Sequence, residues 1–230
     1  NFVHKTGDIR TLSSLKEYIN DIQPELVFHL AAEAFVRKSY QDPLKTWETN
    51  VIGSINLMES LKSLKNICSA VLITTDKVYK NEEWIHGYRE NDRLGGHDPY
   101  SASKAAMEIA VESYRSSFCG PNAHQTNNLL FATARAGNVI GGGDWSEDRI
   151  VPDIVKAIQN KESIILRNPA STRPWQHVLE PLSGYLKLAE IMDNENKKVC
   201  SEFNFGPNLT SNKKVIELLT LMKTYWSAEL

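Results

Sequence analysis

Apolar residues fall along this chain in two alternating rhythms. The run Leu26-Val27-Phe28-His29-Leu30-Ala31-Ala32 is short and almost wholly apolar, the pattern of a strand buried on both faces. Helical spacing follows over residues 44–63, with apolar positions at Trp47, Val51, Ile55, Leu57, Met58 and Leu61. Ala70-Val71-Leu72-Ile73-Thr74 reads as a second buried strand, and Leu129-Leu130-Phe131-Ala132-Thr133-Ala134 as a third. Between them lies a polar, glycine-bearing loop over residues 81–98, closed by Asp98-Pro99. An Asp that can cap a helix, followed by Pro in the first turn, predicts a helix beginning at Pro99.

Strand and helix alternating in this way predict parallel strands joined by right-handed crossovers. The fold class is therefore α/β, a doubly wound, Rossmann-like parallel sheet. After Gly141-Gly142-Gly143 the apolar segments shorten, at residues 163–166, 175–179 and 203–205. Helical patterns separate them, at residues 151–159, 181–192 and 211–225. These are expected to form a smaller α/β lobe over the carboxyl ends of the strands, where such sheets bind ligands. The division expected is residues 1–140 for the sheet domain and 141–230 mainly for the lobe, with some chain returning to the sheet. Both ends read as cut: Phe2-Val3 is expected to lie inside a third strand of the sheet, and the last helix stops at Ala228-Glu229-Leu230. No G-x-x-G-x-x-G or G-x-G-x-x-G turn occurs.

Composition narrows the partners. Of 230 residues, 28 are acidic and 26 basic, a net charge of -2 that gives no reason to expect nucleic acid or an anionic membrane as the main partner. No apolar run reaches the ~20 residues that span a bilayer. The three cysteines, Cys68, Cys119 and Cys200, are far apart, so neither a disulfide framework nor a metal site is expected. That usage fits a reduced, cytoplasmic setting.

Tyr100-Ser101-Ala102-Ser103-Lys104 is the sharpest candidate for chemistry. Residues four apart share a helix face, and a Lys ammonium beside a phenol stabilises the phenolate. The same spacing also suits an ordinary solvated Tyr–Lys pair. Thr74-Thr75-Asp76-Lys77 follows directly on a buried strand, which places its polar groups at the strand's carboxyl end. Alone it reads equally as a turn. A strand-end Thr-Asp-Lys together with a Tyr-x-x-x-Lys helix is far rarer than either element.

Gly7-Asp8-Ile9-Arg10 offers a carboxylate for an adenine amino group and an apolar side chain for its ring, or else a simple Asp turn. In His29-Leu30-Ala31-Ala32 the small residues let a ligand approach the backbone, and His29 itself reads as a satisfied, partly buried histidine. In the later segments, well-separated Arg residues could clamp a diphosphate or simply form surface salt bridges.

Taken together, Tyr100-x-x-x-Lys104, the strand-end Thr-Asp, His29-Leu30-Ala31-Ala32 and Asn50-Val51-x-Gly53 resemble the extended short-chain dehydrogenases that act on nucleotide sugars. Further segments resemble the CDP-glucose 4,6-dehydratase group of that family. They are Gly87-Tyr88-Arg89-Glu90-Asn91, Gly95-Gly96-His97-Asp98-Pro99-Tyr100, the stretch 135–145, and the stretch 173–185, which opens Arg173-Pro174-Trp175-Gln176-His177-Val178. Lys77 after Asp76 separates the chain from the dTDP-glucose dehydratases, which usually carry Glu there.

The resemblance implies NAD as cofactor, a nucleotide-sugar substrate and a homodimer joined through helices near residues 44–63 and 99–118. It implies catalytic roles for Thr75, Asp76, Lys77, Tyr100 and Lys104. Contacts to the cofactor would come from Asp8, Ile9, Leu30, Ala31, Ala32, Asn50, Thr74, Tyr100 and Lys104, and contacts to the substrate from Asn138, Arg149 and Arg173. Asp76 would act in its protonated form and Lys77 in its neutral form, states that burial in a closed site favours. Two departures stand out: the missing glycine-rich turn, and Glu33 where relatives often have Gln. An epimerase on the same fold, a dTDP-glucose dehydratase and a non-catalytic scaffold are the alternative readings.

Overall fold

A computed structural model describes residues 2–119, 128–195 and 199–226. In chain order the elements are α1 (Leu12–Ile22), β1 (Leu26–His29), α2 (Val36–Gln41), α3 (Pro43–Trp47), α4 (Gly53–Leu61), β2 (Cys68–Ile73) and α5 (Pro99–Phe118). They continue with β3 (Leu129–Ala136), β4 (Val139–Ile140), α6 (Ile150–Asn160), β5 (Thr172–Pro174), β6 (Gln176–His177) and α7 (Leu179–Glu195). The last are β7 (Glu202–Phe205), β8 (Asn212–Lys214) and α8 (Val215–Tyr225). The chain divides into two compact units, one of Asn1–Ala136 with Gly184–Asn204, the other of Gly137–Ser183 with Phe205–Leu230.

The first unit is built on a four-stranded sheet in the order β1-β2-β3-β7, with β1, β2 and β3 parallel. The α/β parallel sheet expected from the sequence is therefore present. β2 is mostly apolar because it is central: Ala70, Val71 and Leu72 are wholly buried. Met58 and Leu61 of α4, Met107 and Val111 of α5 and Phe131 of β3 fill one core with it. Each such large side chain, fully buried, stabilises by roughly 1.5–3 kcal/mol.

Two expectations about strands are corrected. The run 26–32 is not a strand buried on both faces: its ladder ends at His29, Leu26 is 44% exposed and Leu30 57%. Among the described residues β1 is bonded only to β2, at one end of the strand order. Phe2-Val3 belongs to no strand, and both side chains are exposed. Among the described residues, nothing pairs with them to satisfy a ladder.

The helical stretch 44–63 is not uniform. α3 passes through a π-helical turn, Glu48–Ile52, before α4 begins. Such turns shift one residue out of register and often sit at functional sites. The residue displaced inward is Asn50, which is wholly buried.

α5 starts where the sequence predicts. The Asp98 carboxylate accepts from Ser101 N at 3.0 Å while Ser101 Oγ accepts from Asp98 N at 3.1 Å, and Pro99 occupies the first turn. Just upstream, a Cβ on Gly96 would lie 2.1 Å from the Ser101 carbonyl carbon, so only glycine lets the loop pass the helix end. Asp98→Ala is expected to cost about 1 kcal/mol, a fall in Tm of about 2–4 °C by calorimetry.

The second unit has no large sheet among its described residues. β4 pairs with β6 in parallel, and β5 with β8 antiparallel. Ile154 and Ile158 of α6 and Leu219 of α8 form its core, with Ile164 and Leu166 packed against them. Residues 163–166 form no strand: alternate side chains anchor to that core and Ile165 stands 87% exposed. The helical pattern 211–225 becomes a helix only from Val215, because Asn212–Lys214 is drawn into the ladder with β5. The end at Ala228-Glu229-Leu230 lies outside the described residues.

Candidate active site

At the carboxyl end of β2 the chain turns into a single 3₁₀ turn, Asp76–Val78. Thr75 caps it: its hydroxyl accepts from Lys77 N at 3.4 Å and donates to Asp76 Oδ1 at 3.1 Å. α5 packs on this turn, with Ala105 in one cluster with Val78. Lys104 is wholly enclosed and its Nζ donates to the Ile73 carbonyl at 2.9 Å. Burial lowers its pKa from the ordinary 10.5 to about 8, against the pull of nearby Glu108. Tyr100, one turn earlier on α5, is 9% exposed, with its backbone N donating to Ser39 Oγ at 3.1 Å. Thr75, Asp76, Lys77, Tyr100 and Lys104 therefore belong to one corner of the first unit. Asp76 is half-buried and Lys77 exposed.

The loop after β1 lines the same unit. Leu30 and Ala31 are exposed and Ala32 half-buried. Asn50 fixes the loop from behind. Its Oδ1 accepts from Glu33 N at 2.8 Å, and its amide nitrogen donates to Glu33 O at 3.0 Å and to Ser103 Oγ at 2.9 Å. Both amide hydrogens are thus used inside the protein. The Glu33 carboxylate instead meets Lys45 Nζ at 2.7 Å.

Beneath the loop, His29 Nε2 is 2.9 Å from Ser54 Oγ, whose hydrogen goes to Asn50 O at 2.7 Å. Ser54 must then accept from His29, which assigns the proton to Nε2. Burial, with the Lys104 charge adding to it, lowers the His29 pKa from 6.5 to about 3. Between those values the unfolded chain binds the extra proton, so stability falls as pH drops through that window. The expected loss is about 2 kcal/mol from pH 7 to pH 5, measured by urea unfolding, and His29→Asn should flatten it.

Asp8 and Ile9 are placed differently from each other. Arg10 grips the Asp8 carboxylate through Nε and Nη2, at 3.0 and 2.6 Å to Oδ2, and holds its pKa down to about 2. Ile9 packs on α4, where a Cβ on Gly53 would come within 2.6 Å of its Cδ1. Asn56 Nδ2 secures both carbonyls, of Ile9 at 3.1 Å and Arg10 at 3.0 Å.

Sequence reasoning missed the most heavily bonded group of this corner, Glu108. It accepts from Thr74 Oγ1, from Thr133 Oγ1 at 2.7 Å, and from Arg135 Nε and Nη2 at 2.9 Å each. Both Glu108 and Arg135 are 4% exposed. Thr74, expected to face a cofactor, turns its hydroxyl inward to this carboxylate. The available signal was spacing: Glu108 follows Lys104 by one helical turn, and Arg135 ends a buried strand.

The three residues expected to hold substrate lie in the second unit. Asn138 O accepts from Gln176 N at 3.2 Å. Arg149 caps α6, its carbonyl accepting from Asp153 N at 2.9 Å, and its Nε stands 3.5 Å from Asp144 Oδ2. Arg173 lies on β5 opposite Lys213, and its Nη1 donates to Thr172 O at 2.6 Å.

Known proteins carry the same architecture. The chain is 47% identical to a CDP-glucose 4,6-dehydratase of Salmonella typhimurium over 96% of its own length and 61% of the relative's. It is 28% identical to a dTDP-D-glucose 4,6-dehydratase of Dictyostelium discoideum, covering 95% of this chain and 50% of that one. Among solved structures, a dTDP-glucose 4,6-dehydratase from Streptomyces venezuelae, with NAD bound, superposes with a TM-score of 0.80 at 22% identity, over 97% of this chain and 63% of that one. A UDP-glucose 4-epimerase from Thermotoga maritima superposes with a TM-score of 0.82, also at 22% identity, over 100% and 70%. The chain thus spans less than two thirds of the length of its Salmonella and Streptomyces relatives. Residues 1–206 match the family model described as GDP-mannose 4,6 dehydratase, and the chain belongs to that family of extended short-chain dehydrogenases.

Proposed function

We propose that this protein dehydrates a nucleotide-linked glucose with NAD as cofactor, converting CDP-glucose to CDP-4-keto-6-deoxyglucose and water. The observation that carries the reading is the anchoring of buried Lys104 to the Ile73 carbonyl, at the strand end from which Thr75-Asp76-Lys77 departs. An epimerase needs the Tyr–Lys pair but has little use for an adjoining acid and base. Cytidine is supported by the 47% identity to the Salmonella CDP-glucose enzyme and by Lys77 after Asp76.

The first unit suits NAD. Ala31 and Ala32 leave the backbone after β1 approachable, and Asn50 fixes that loop at Glu33 from both sides. Leu30, Ala31, Ala32, Ile9, Asp8, Tyr100 and Lys104 would hold the cofactor, which supplies the acceptor and then the donor of one hydride.

The chain's own groups handle the protons. Tyr100, with Lys104 and Thr75 beside it in the fold, removes the proton of the sugar 4-hydroxyl. A ketone at C4 acidifies the C5 hydrogen, which makes loss of the 6-hydroxyl feasible. Lys77 takes the C5 proton while Asp76 donates to the departing hydroxyl. Asn138, Arg149 and Arg173 of the second unit hold the sugar diphosphate, Arg being suited to bidentate contacts.

The working form is a homodimer, supported by Leu44, Ile52 and Ile109, large apolar residues left 69%, 49% and 61% exposed on the helices 43–61 and α5. A cytoplasmic location is supported by sparse cysteine usage, Cys68, Cys119 and Cys200 lying far apart in the sequence. No helix among the described residues is long and apolar enough to cross a membrane.

Incubation with CDP-glucose tests the reading. A 4-keto-6-deoxy product, which absorbs in strong alkali, is expected, whereas an epimerised hexose does not absorb. Turnover of dTDP-glucose with none of CDP-glucose would overturn the choice of base.

A further inference from the structure

We propose that Glu108 is a positioning residue for the reaction, acting through Lys104: one helical turn beyond the lysine, its carboxylate ties α5 to the ends of β2 and β3. The functional part of this statement rests on the dehydratase reading.

Four donors converge on the carboxylate, two to each oxygen: Thr74 Oγ1 and Arg135 Nε on Oε1, Thr133 Oγ1 and Arg135 Nη2 on Oε2. They fill the lone-pair directions a carboxylate offers. A neutral amide could not accept all four. α5 is thereby tied to β2 at two adjacent points, Lys104 to Ile73 O and Glu108 to Thr74 Oγ1. The next residue of β2's extension is Thr75, which caps the Asp76 turn.

Arg135 extends the frame. Its Nη1 donates to Tyr79 OH and to Glu90 O, both at 2.8 Å, and Tyr79 OH donates to Asn204 Oδ1 at 2.7 Å. Tyr79 also stacks on Tyr88 with ring centroids 4.9 Å apart. The loop between β2 and α5 is therefore fastened to the same carboxylate.

Electrostatics agree with the geometry. Around Lys104 stand Tyr100 and Glu108 on its own helix, His29 from β1, Asp76 and Lys77 on the turn packed against α5, and Arg135 from β3 behind Glu108. Glu108 is the carboxylate that opposes the desolvation of the ammonium.

The test titrates Lys104 directly, by NMR of the protein labelled at lysine Cε, with the signal assigned from Lys104→Met. In the native protein Lys104 should titrate near 8. In Glu108→Gln the midpoint should fall by roughly one unit, and Glu108→Asp should restore it. With CDP-glucose, Glu108→Gln should lose kcat with KM held within about twofold, and the pH profile of kcat should move toward acid in step with the titration.

An unmoved midpoint and a superimposable profile would overturn the proposal, leaving Glu108 a structural residue. If Glu108→Gln does not fold, Glu108→Leu/Arg135→Met carries the test. At least a tenfold loss of kcat at constant KM supports the proposal, and native kcat overturns it. Absence of turnover in the native protein alongside a shifted midpoint would refute the dehydratase reading and leave the coupling of Glu108 to Lys104 standing.

Discussion

Glu108→Gln should lower the folding stability by about 3–5 kcal/mol. The cause is what the substitution leaves behind. Arg135 is 4% exposed, and without the carboxylate its charge stays buried and uncompensated. Of the four donors on the carboxylate, those on the oxygen replaced by the amide nitrogen also lose their acceptor. Against a total of about 5–15 kcal/mol for a typical domain, that loss removes a large share of the folding stability. Removing both charges should hurt far less, since buried pairs replaced by apolar groups are often neutral. Glu108→Leu/Arg135→Met is expected to recover more than half the loss. It will not recover all of it, because Tyr79 OH and Glu90 O lose the Arg135 donor. Urea unfolding of the native, single and double forms measures the difference.

Lys104→Met should separate activity from stability. The buried ammonium is a burden on the fold: its pKa is lowered from 10.5 to about 8, so between those values the unfolded chain holds a proton that the native state has released. Stability attributable to this group therefore rises with pH from 8 to 10.5, and below pH 8 the full cost is present, roughly 3 kcal/mol. Methionine of similar length removes that cost and forfeits the bond to Ile73 O, worth about 1–1.5 kcal/mol. The variant should be more stable than the native protein at pH 7 by about 1–2 kcal/mol, with the advantage vanishing near pH 10.5. Turnover should meanwhile fall by about 100-fold or more. Denaturant unfolding at pH 7 and pH 10, beside a kcat measurement, checks both signs.

The parts of this molecule legible in its sequence are those set by local chemistry. Apolar runs marked β2 and β3 because a central strand is covered on both faces, and Asp98-Pro99 marked the start of α5 because capping involves only residues within one turn. The end of β1 at His29 was not legible, since an apolar run does not say where its pairing stops. Nor was the π-helical turn at Asn50, where the helical spacing continues almost undisturbed through residues 44–63 and hides the single residue turned inward. Thr74 carried the right residue type for a ligand contact. Its direction was decided by Glu108, 34 residues away, and by a strand pairing that places Thr133 and Arg135 alongside. Tyr100, Lys104 and the Thr75–Lys77 turn were legible as a group because each lies within a short segment whose position at a strand end or helix start is itself local.

The fate of one hydrogen tests the dehydratase reading most directly. CDP-glucose carrying deuterium at C4 should be converted to a 4-keto-6-deoxy product with that deuterium at C6, since the hydride that leaves C4 returns within the same active site. Mass spectrometry and NMR of the product locate it. Deuterium lost to water, or still at C4 of an intact hexose, would contradict an intramolecular dehydration by this protein.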